Sequence, residues 1–182
     1  RGGLWLGSYK NGAAYCSTAD ARFKLIALGD VCSIVEDQRG NLWCGTNDCG
    51  IVAYNLTTGS IRSFRSNETG LGNDIVISST VGKDGALWFG AFNGGLTCYK
   101  DGRFKAYRAS ANGKGLVNDN VWALKTEENG NIVIATLGGG LQLLNPQTGQ
   151  FTTYTTHNSP LVSNFLSSIA FDLTGNILMG HA

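Results

Sequence analysis

The fold of this chain is decided by one stretch, Asp30-Val31-Cys32-Ser33-Ile34-Val35-Glu36-Asp37-Gln38-Arg39-Gly40-Asn41-Leu42-Trp43-Cys44-Gly45-Thr46. An apolar run is followed by a polar turn that contains glycine, and then by a second run built around a tryptophan. Glycine supplies the positive φ that a tight hairpin turn needs. The stretch therefore predicts two antiparallel strands joined by a short turn.

The Leu-Trp-x-Gly part of this stretch recurs along the chain. Its tryptophan position falls at residues 5, 43, 88, 133 and 178, so the spacings are 38, 45, 45 and 45 residues. In the same register a glycine precedes the motif at positions 40, 85, 130 and 175, and another follows it at 50, 95 and 140. Three positions that stay in step over this distance indicate an internal structural repeat.

Each full unit predicts four strands. The third strand begins near Ile51, Leu96 or Leu141, and the fourth carries the apolar pairs Ile61/Phe64, Phe104/Tyr107 and Phe151/Tyr154. A four-stranded antiparallel unit of about 40–45 residues is a β-propeller blade, because stacking on neighbours buries both of its apolar faces. We expect an all-β propeller with a partial blade over 1–29, blades over 30–72, 73–117 and 118–162, and a partial blade over 163–182.

The predicted strands do not fit a closed ring of four blades. Seventeen strands are predicted, one more than such a ring holds. We therefore expect an arc of a larger propeller, with an apolar sheet face exposed at each end. The alternative is a small ring that is closed by pairing the two ends of the chain, with one strand left over.

Composition excludes several classes of protein. The 182 residues, 42% of them hydrophobic, suffice for one domain with a sizeable core. A net charge of +1 with 15% charged residues gives no basic surface for nucleic acid, and no such contact is expected. No apolar stretch is long enough to span a bilayer. The first residues are no signal peptide, so the chain is expected to be a mature or excised segment.

No catalytic or metal-binding constellation is found in the sequence. The histidines, His157 and His181, lie far apart, and neither has a metal-ligand spacing to another histidine or cysteine. The glycines at 138–140 lack the Lys-Ser/Thr of a phosphate loop. The five cysteines form no CxxC pair, which favours small buried hydrophobes over a zinc site or a disulfide framework, although their redox state stays open. We predict no catalytic residue, no metal and no cofactor.

Loop residues on one face of the predicted propeller are the candidates for ligand binding. The loops from each outer strand to the next inner strand share this face with the loops between second and third strands, around the channel mouth. Amide, carboxylate and aromatic groups there suit sugar hydroxyls and sugar faces. The candidates are Asn73, Asp74, Asn118, Asp119, Asn120, Trp122, Asn164, Asn47, Asp48, Phe92 and Asn93.

A competing interpretation exists for each single candidate. An Asn or Asp at these points can simply form an Asx turn, and Trp122 can fill the channel or the core. For a single Asx position the turn is the favoured interpretation. For the face as a whole, ligand binding is favoured.

The repeats resemble those of the two-component regulator propeller family, whose repeat reads roughly V-x-x-I-x-E-D-x-x-G-x-L-W-x-G-T-x-x-G-G-L. The quoted stretch follows this pattern, as do Gly94–Tyr99, Gly138–Leu141 and Asn145–Tyr154, so the resemblance covers nearly the whole chain. Two departures stand out. The fourth unit has Val133-Ile134-Ala135 in place of Trp-x-Gly, and the first unit is seven residues short.

The resemblance implies a location, a function and a set of partners. Such repeats build the periplasmic or extracellular sensor region of membrane histidine kinases, many of them hybrid two-component systems of gut Bacteroidetes that sense oligosaccharides. It implies a seven-bladed propeller that is non-catalytic in this segment, although the parent chain would be a kinase. The implied partners are an oligosaccharide ligand, the remaining blades and a β-sandwich of the parent chain, and a second copy in a homodimer.

Two other functions compete with the sensor. One is a propeller lyase or hydrolase of the streptogramin-lyase type, whose metal is held by clustered His and Glu residues that this sequence does not show. The other is a scaffold for protein interaction or receptor dimerisation. Fold alone does not choose among them.

Overall fold

The computed structural model describes residues 3–17, 22–110 and 115–182. Within these ranges seventeen strands form five antiparallel sheets, each built from strands that follow one another in sequence. The only helix there, α1 (Ser66–Thr69), is a single turn, and no helix in the described ranges is long and apolar enough to cross a membrane. The all-β fold predicted from the repeat is confirmed.

The five sheets are built from strands that are consecutive in the sequence. The first contains β1 (Gly3–Ser8), β2 (Gly12–Ser17) and β3 (Phe23–Ile26). The second contains β4 (Val31–Glu36), β5 (Asn41–Thr46), β6 (Ile51–Asn55) and β7 (Ile61–Phe64). The third contains β8 (Val76–Val81), β9 (Leu87–Ala91), β10 (Gly95–Lys100) and β11 (Arg103–Tyr107). The fourth contains β12 (Val121–Thr126), β13 (Ile132–Thr136), β14 (Gly140–Leu144) and β15 (Phe151–Tyr154), and the fifth β16 (Leu166–Phe171) and β17 (Ile177–His181).

The core consists of four apolar layers, one between each pair of neighbouring sheets. Trp43 of the second sheet packs against Phe89 of the third, with ring centroids 6.3 Å apart, and stacks on Phe64 at 5.4 Å. Burying each large side chain of this kind contributes about 1.5–3 kcal/mol. The tryptophan of the repeat is therefore the wedge between adjacent blades.

A small residue at the end of the Leu-Trp-x-Gly motif lets the next blade approach closely. A Cβ added to Gly45 would lie 2.7 Å from the carbonyl oxygen of Val76 in the next sheet. In the second and third sheets this glycine is paired across the strands with a serine, as in Ser78 and Gly90. The fourth sheet has Ala123 and Ala135 at the same two places. Each pair fills the same space with two side-chain heavy atoms in total.

A carboxylate organises the turn between the first two strands of a blade. Asp37 accepts hydrogen bonds from the backbone of Arg39 and Asn41, from the Asn41 side chain and from the Trp43 indole, at 2.8–2.9 Å. Asp172 holds the last turn in the same way, through Thr174 and Asn176.

The third sheet lacks this carboxylate. Gly82 stands where Asp37, Glu127 and Asp172 stand in the other turns. The Trp88 indole nitrogen, which is buried, consequently has no acceptor among the described residues.

The two ends of the chain do not close a ring. Strand β1 pairs only with β2, and β17 only with β16, among the described strands. The small ring closed by pairing the ends is therefore not the observed arrangement, and the open stack of sheets fits an arc of a propeller.

Candidate ligand-binding face

Each inner strand carries a β-bulge at its second residue. The pairing register shifts between Val31 and Ser33 in β4, and at the equivalent places in β8, β12 and β16. A bulge takes one residue out of the ladder and re-aims its side chain. The residues released in this way are Cys32, Ile77, Trp122 and Ser167. All four retain solvent exposure, whereas the preceding residue of each strand is buried.

The loop between second and third strands is tied to the start of the inner strand. The backbone N–H groups of Asn47, Phe92 and Leu137 donate to the carbonyls of residues 30, 75 and 120, at 2.9–3.0 Å. Each such bond sets the first loop residue beside the bulge of the same blade. The two sets of loops that contain the sequence candidates therefore lie at one edge of the sheets.

Four of the candidates meet across the third and fourth sheets. The rings of Phe92 and Trp122 are in edge-to-face contact, with centroids 6.4 Å apart. The Asn93 backbone N–H donates to Oδ1 of Asn120 at 3.0 Å. Phe92 is 37% exposed, and Asn93 has φ of 49°, a left-handed conformation that asparagine tolerates. We call Phe92, Asn93, Asn120 and Trp122 the aromatic cluster.

The aromatic cluster offers both stacking surface and hydrogen-bonding groups. Within the described ranges no hydrogen bond engages the side-chain amide of Asn93 or the Nδ2 group of Asn120. These groups can donate and accept at the same time, which a pair of sugar hydroxyls requires. Partly exposed aromatic rings supply the apolar area that a sugar face covers.

Five other candidates are engaged in shaping the loops. The side-chain oxygen of each accepts a hydrogen bond of 2.6–3.0 Å from a backbone N–H group. The pairs are Asn73 with residue 75, Asp74 with residue 66, Asn118 with residue 120, Asp119 with residue 109, and Asn164 with residue 156. Asn73 and Asn118 form Asx turns that set the direction of the inner strand. These oxygens position the face, and Asn47 and Asp48 remain as exposed polar residues on the second sheet.

Two arginines that the sequence reasoning missed bridge the loops of this face. Arg65 Nη1 donates to the Asp48 carbonyl at 3.2 Å and lies 3.6 Å from Asp74 Oδ2. Arg108 Nη1 donates to the Asn93 carbonyl at 3.3 Å. Their signal in the sequence is positional, since each is the first residue after the outer strand of its blade.

A buried glutamine, also missed, fixes the loop before the fourth sheet. Gln142 Oε1 accepts from the Val117 N–H at 2.9 Å, and its Nε2 donates to the Gly115 carbonyl and to the Thr153 hydroxyl. The signal for Gln142 in the sequence is a polar residue inside an otherwise apolar strand. Gln142 thereby supports the loop that carries Asn118 and Asn120.

The cysteines show no sign of activation. All five are free thiols. Burial raises the pKa of Cys44 to about 12 and that of Cys98 to about 11. Burial, with the nearby carboxylates of Asp30 and Asp48, also raises the pKa of Cys32. A raised pKa keeps a thiol protonated and poorly nucleophilic at neutral pH.

Stacked antiparallel sheets with an inner-strand bulge and a loop face define the chain as part of a β-propeller. The family model for the two component regulator propeller matches residues 26–48, which confirms the resemblance found in the sequence. A search of curated proteins found no match.

Several solved structures share the fold. The extracellular domain of a hybrid two component system from B. thetaiotaomicron has a TM-score of 0.83 at 22% identity, over 97% of this chain and 24% of that one. PorZ, a surface component of the type-IX secretion system of Porphyromonas gingivalis, has a TM-score of 0.74 at 18% identity, over 100% of this chain and 30% of that one. Virginiamycin B lyase from Staphylococcus aureus has a TM-score of 0.75 at 14% identity, over 99% of this chain and 66% of that one. The TM-scores show a common fold, and the chain spans 24% and 30% of the first two proteins.

Proposed function

We propose that this chain is a non-catalytic segment of the extracellular or periplasmic sensor propeller of a two-component signalling receptor. The match of residues 26–48 to the two component regulator propeller supports it, as does the likeness to the extracellular domain of a hybrid two component system. In this proposal the parent chain carries a histidine kinase and acts as a homodimer. Ligand binding outside the membrane biases the kinase by favouring one of its conformations.

The proposed ligand is a neutral oligosaccharide held at the aromatic cluster. The observation that carries this proposal is the contact of Phe92 with Trp122 across two blades, beside the unengaged Asn93 amide. A sugar ring presents apolar C–H groups on its face and hydroxyls at its rim. The cluster presents aromatic rings for the first and side-chain amides for the second.

The proposal also makes further blades of the same repeat direct partners of this chain. Leu4 and Leu6 of β1 are 56% and 41% exposed. Their equivalents in the second sheet, Leu42 and Cys44, are fully buried against the first sheet. A preceding blade would cover Leu4 and Leu6 in the same manner.

No observation favours the lyase alternative. The described residues bring together no group of three His, Cys, Asp or Glu side chains of the kind that holds a catalytic metal. The likeness to virginiamycin B lyase rests on the shared fold.

Binding of neutral oligosaccharides to the complete protein tests the proposal. At about 100 times its dissociation constant a ligand adds about 2.7 kcal/mol to stability, which a thermal-shift screen detects. We expect Phe92→Ala and Trp122→Leu each to weaken binding at least about tenfold, because each change removes an aromatic ring whose apolar area the sugar would cover. Gln38→Ala, an exposed change at the opposite edge, is the control. Failure of every neutral oligosaccharide to bind, or full binding by both cluster variants, would contradict the proposal.

A further inference from the structure

A groove with unusual charge runs between the third and fourth sheets, at the edge opposite the aromatic cluster. Its third-sheet wall carries Lys83, Lys100, Arg103 and Lys105, and Pro146 lies on the fourth-sheet side. These residues belong to the turns that join first to second and third to fourth strands, to the end of β10, or to β11 beside it. We call these four cations and Pro146 the basic groove.

The cations of the basic groove outnumber its carboxylates. Asp84 and Asp101 are the acidic residues on its walls. The Asp84 carboxylate is paired with the Lys100 ammonium at 2.5 Å. No ion pair in the described ranges engages Lys83, Arg103 or Lys105. Three exposed positive charges therefore lack an ion-pair partner among the described residues.

The equivalent grooves between other sheets are not basic. The groove between the fourth and fifth sheets is lined by Glu127, Glu128 and Asp172 and by no cation. In the groove between the second and third sheets, two cations, Arg39 and Lys100, face three carboxylates. Because the backbone repeats and the charge does not, the fold does not require the positive charge of the basic groove.

The turn at the basic groove has also lost the carboxylate that the other turns use internally. Gly82 replaces it, the Trp88 indole N–H has no acceptor among the described residues, and Lys83 follows directly. Trp88 lies on the wall of the groove. An unsatisfied hydrogen-bond donor and an excess of positive charge thus occur together at this interface.

We propose that the basic groove is a second binding site, separate from the aromatic cluster, for the acidic groups of an oligosaccharide that carries carboxylates or sulfates. Arginine and lysine bind both groups through charge-assisted hydrogen bonds. The amides of Asn129 and Gln147 and the ring of Tyr107, which line the same groove, suit the hydroxyls and faces of the sugars between acidic groups. The proposal rests on the proposed function only in taking the ligand to be an oligosaccharide.

The test is calorimetric titration of the complete protein with three hexasaccharides: oligogalacturonate, a sulfated glycosaminoglycan fragment and neutral maltohexaose. Sodium sulfate at matched ionic strength provides a free-anion arm. We expect one of the two acidic probes to bind and the other to bind more weakly, which identifies the acidic group. We expect Arg103→Gln with Lys105→Gln to weaken that binding at least about tenfold, and added salt to weaken it further.

Arg62→Gln is the matched control. Arg62 has the strand position in the second sheet that Lys105 has in the third, and each cation lies over the ring two residues later, at 4.6 Å and 4.8 Å. Arg62 does not line the basic groove. If Arg62→Gln weakens binding as much as Lys105→Gln, the attraction is general and the proposal is wrong. It is also wrong if neither acidic probe binds, or if sodium sulfate alone displaces the probe completely at matched ionic strength.

The outcomes separate this binding site from the aromatic cluster. Binding of neutral sugars that depends on Trp122, without binding of either acidic probe, overturns only the basic groove. Acidic binding that depends on Arg103 and Lys105, without binding of any neutral oligosaccharide, supports the groove and overturns the cluster.

Discussion

At the scale of single residues, blade packing depends on a balance of volume between two facing positions. Ser78 and Gly90 form one such pair, and Ala123 and Ala135 form its equivalent in the next blade. The Ser78 hydroxyl is buried and has no hydrogen-bond partner among the described residues. It therefore contributes volume to the interface and no hydrogen bond.

Gly90→Ala is expected to destabilise the protein by about 1–3 kcal/mol, the usual cost of overpacking. The new Cβ would meet the Ser78 side chain and would lie 2.5 Å from Val121 Cγ1. Ser78→Ala removes the first of these clashes and an unsatisfied hydroxyl, so the double variant should recover at least about 0.5 kcal/mol of the loss. Denaturant unfolding of both single variants and the double variant gives the coupling energy. Strict additivity would show that volume balance does not govern this interface.

At the scale of the element, the turn held by Asp37 links stability to pH. Burial acts to raise the pKa of Asp37, but hydrogen bonds from Asn41, Trp43 and Arg39 outweigh it and leave the pKa below its ordinary value. A depressed pKa means that the ionised form stabilises the folded state. The contribution is present above the unfolded pKa of about 4 and is lost as pH falls through the folded value.

Asp37→Asn is expected to cost about 1 kcal/mol at pH 7, because an amide has only one acceptor oxygen. Its NH2 group must replace either Oδ1, which accepts from two backbone N–H groups, or Oδ2, which accepts from the Asn41 side chain and the Trp43 indole. The gap in melting temperature between wild type and variant should narrow as pH falls below about 4. Asp101→Asn, at a turn where φ is already 50°, is the control, since no described hydrogen bond engages that carboxylate. A gap that stays constant from pH 7 to pH 3 would show that the ionised carboxylate does not hold the turn.

The elements could be predicted from sequence because each is specified locally. The apolar pattern of the Leu-Trp-x-Gly motif predicts a strand, and the glycines beside it predict the turns. The strands therefore lie at the positions that the repeat indicates. The bulge at Trp122 could not be read in this way, because a bulge is defined by the partner strand and not by the residue itself. Arg108 and Gln142 were missed for a similar reason, since their partners lie 15 and 25 residues away.

The loop candidates also divide into those that make local contacts, which sequence predicts, and those that make contacts between blades, which it does not. Asn73 and Asn118 bond two residues ahead, so their Asx turns followed from local chemistry. The meeting of Phe92 with Trp122 joins two blades, and only the stacking of the sheets reveals it.

At the scale of the whole molecule, the exposed apolar faces of the first and last sheets govern self-association and stability. The first sheet turns Leu4, Leu6, Phe23 and Leu25 away from its neighbour, with exposures of 56%, 41%, 66% and 62%. At the other end Leu178, at the tryptophan position of the repeat, is 53% exposed, whereas Trp43 and Trp88 are buried. Contiguous apolar surface of this kind marks an interaction site.

A substitution on the exposed apolar face of the first sheet is therefore expected to improve the behaviour of the isolated chain and to destabilise the complete protein. In the 182-residue chain expressed alone, Phe23→Lys with Leu25→Lys should reduce self-association and dye binding, because it removes exposed apolar surface. In the complete protein it should destabilise by at least about 2 kcal/mol, because a neighbouring blade would bury those side chains and the new charges would be desolvated. Light scattering and thermal unfolding measure the two effects. Val162→Lys, at a loop residue that is 80% exposed, should be neutral in both contexts. If Phe23→Lys with Leu25→Lys is equally harmless in the complete protein, no blade covers this face and the arc is not part of a larger ring.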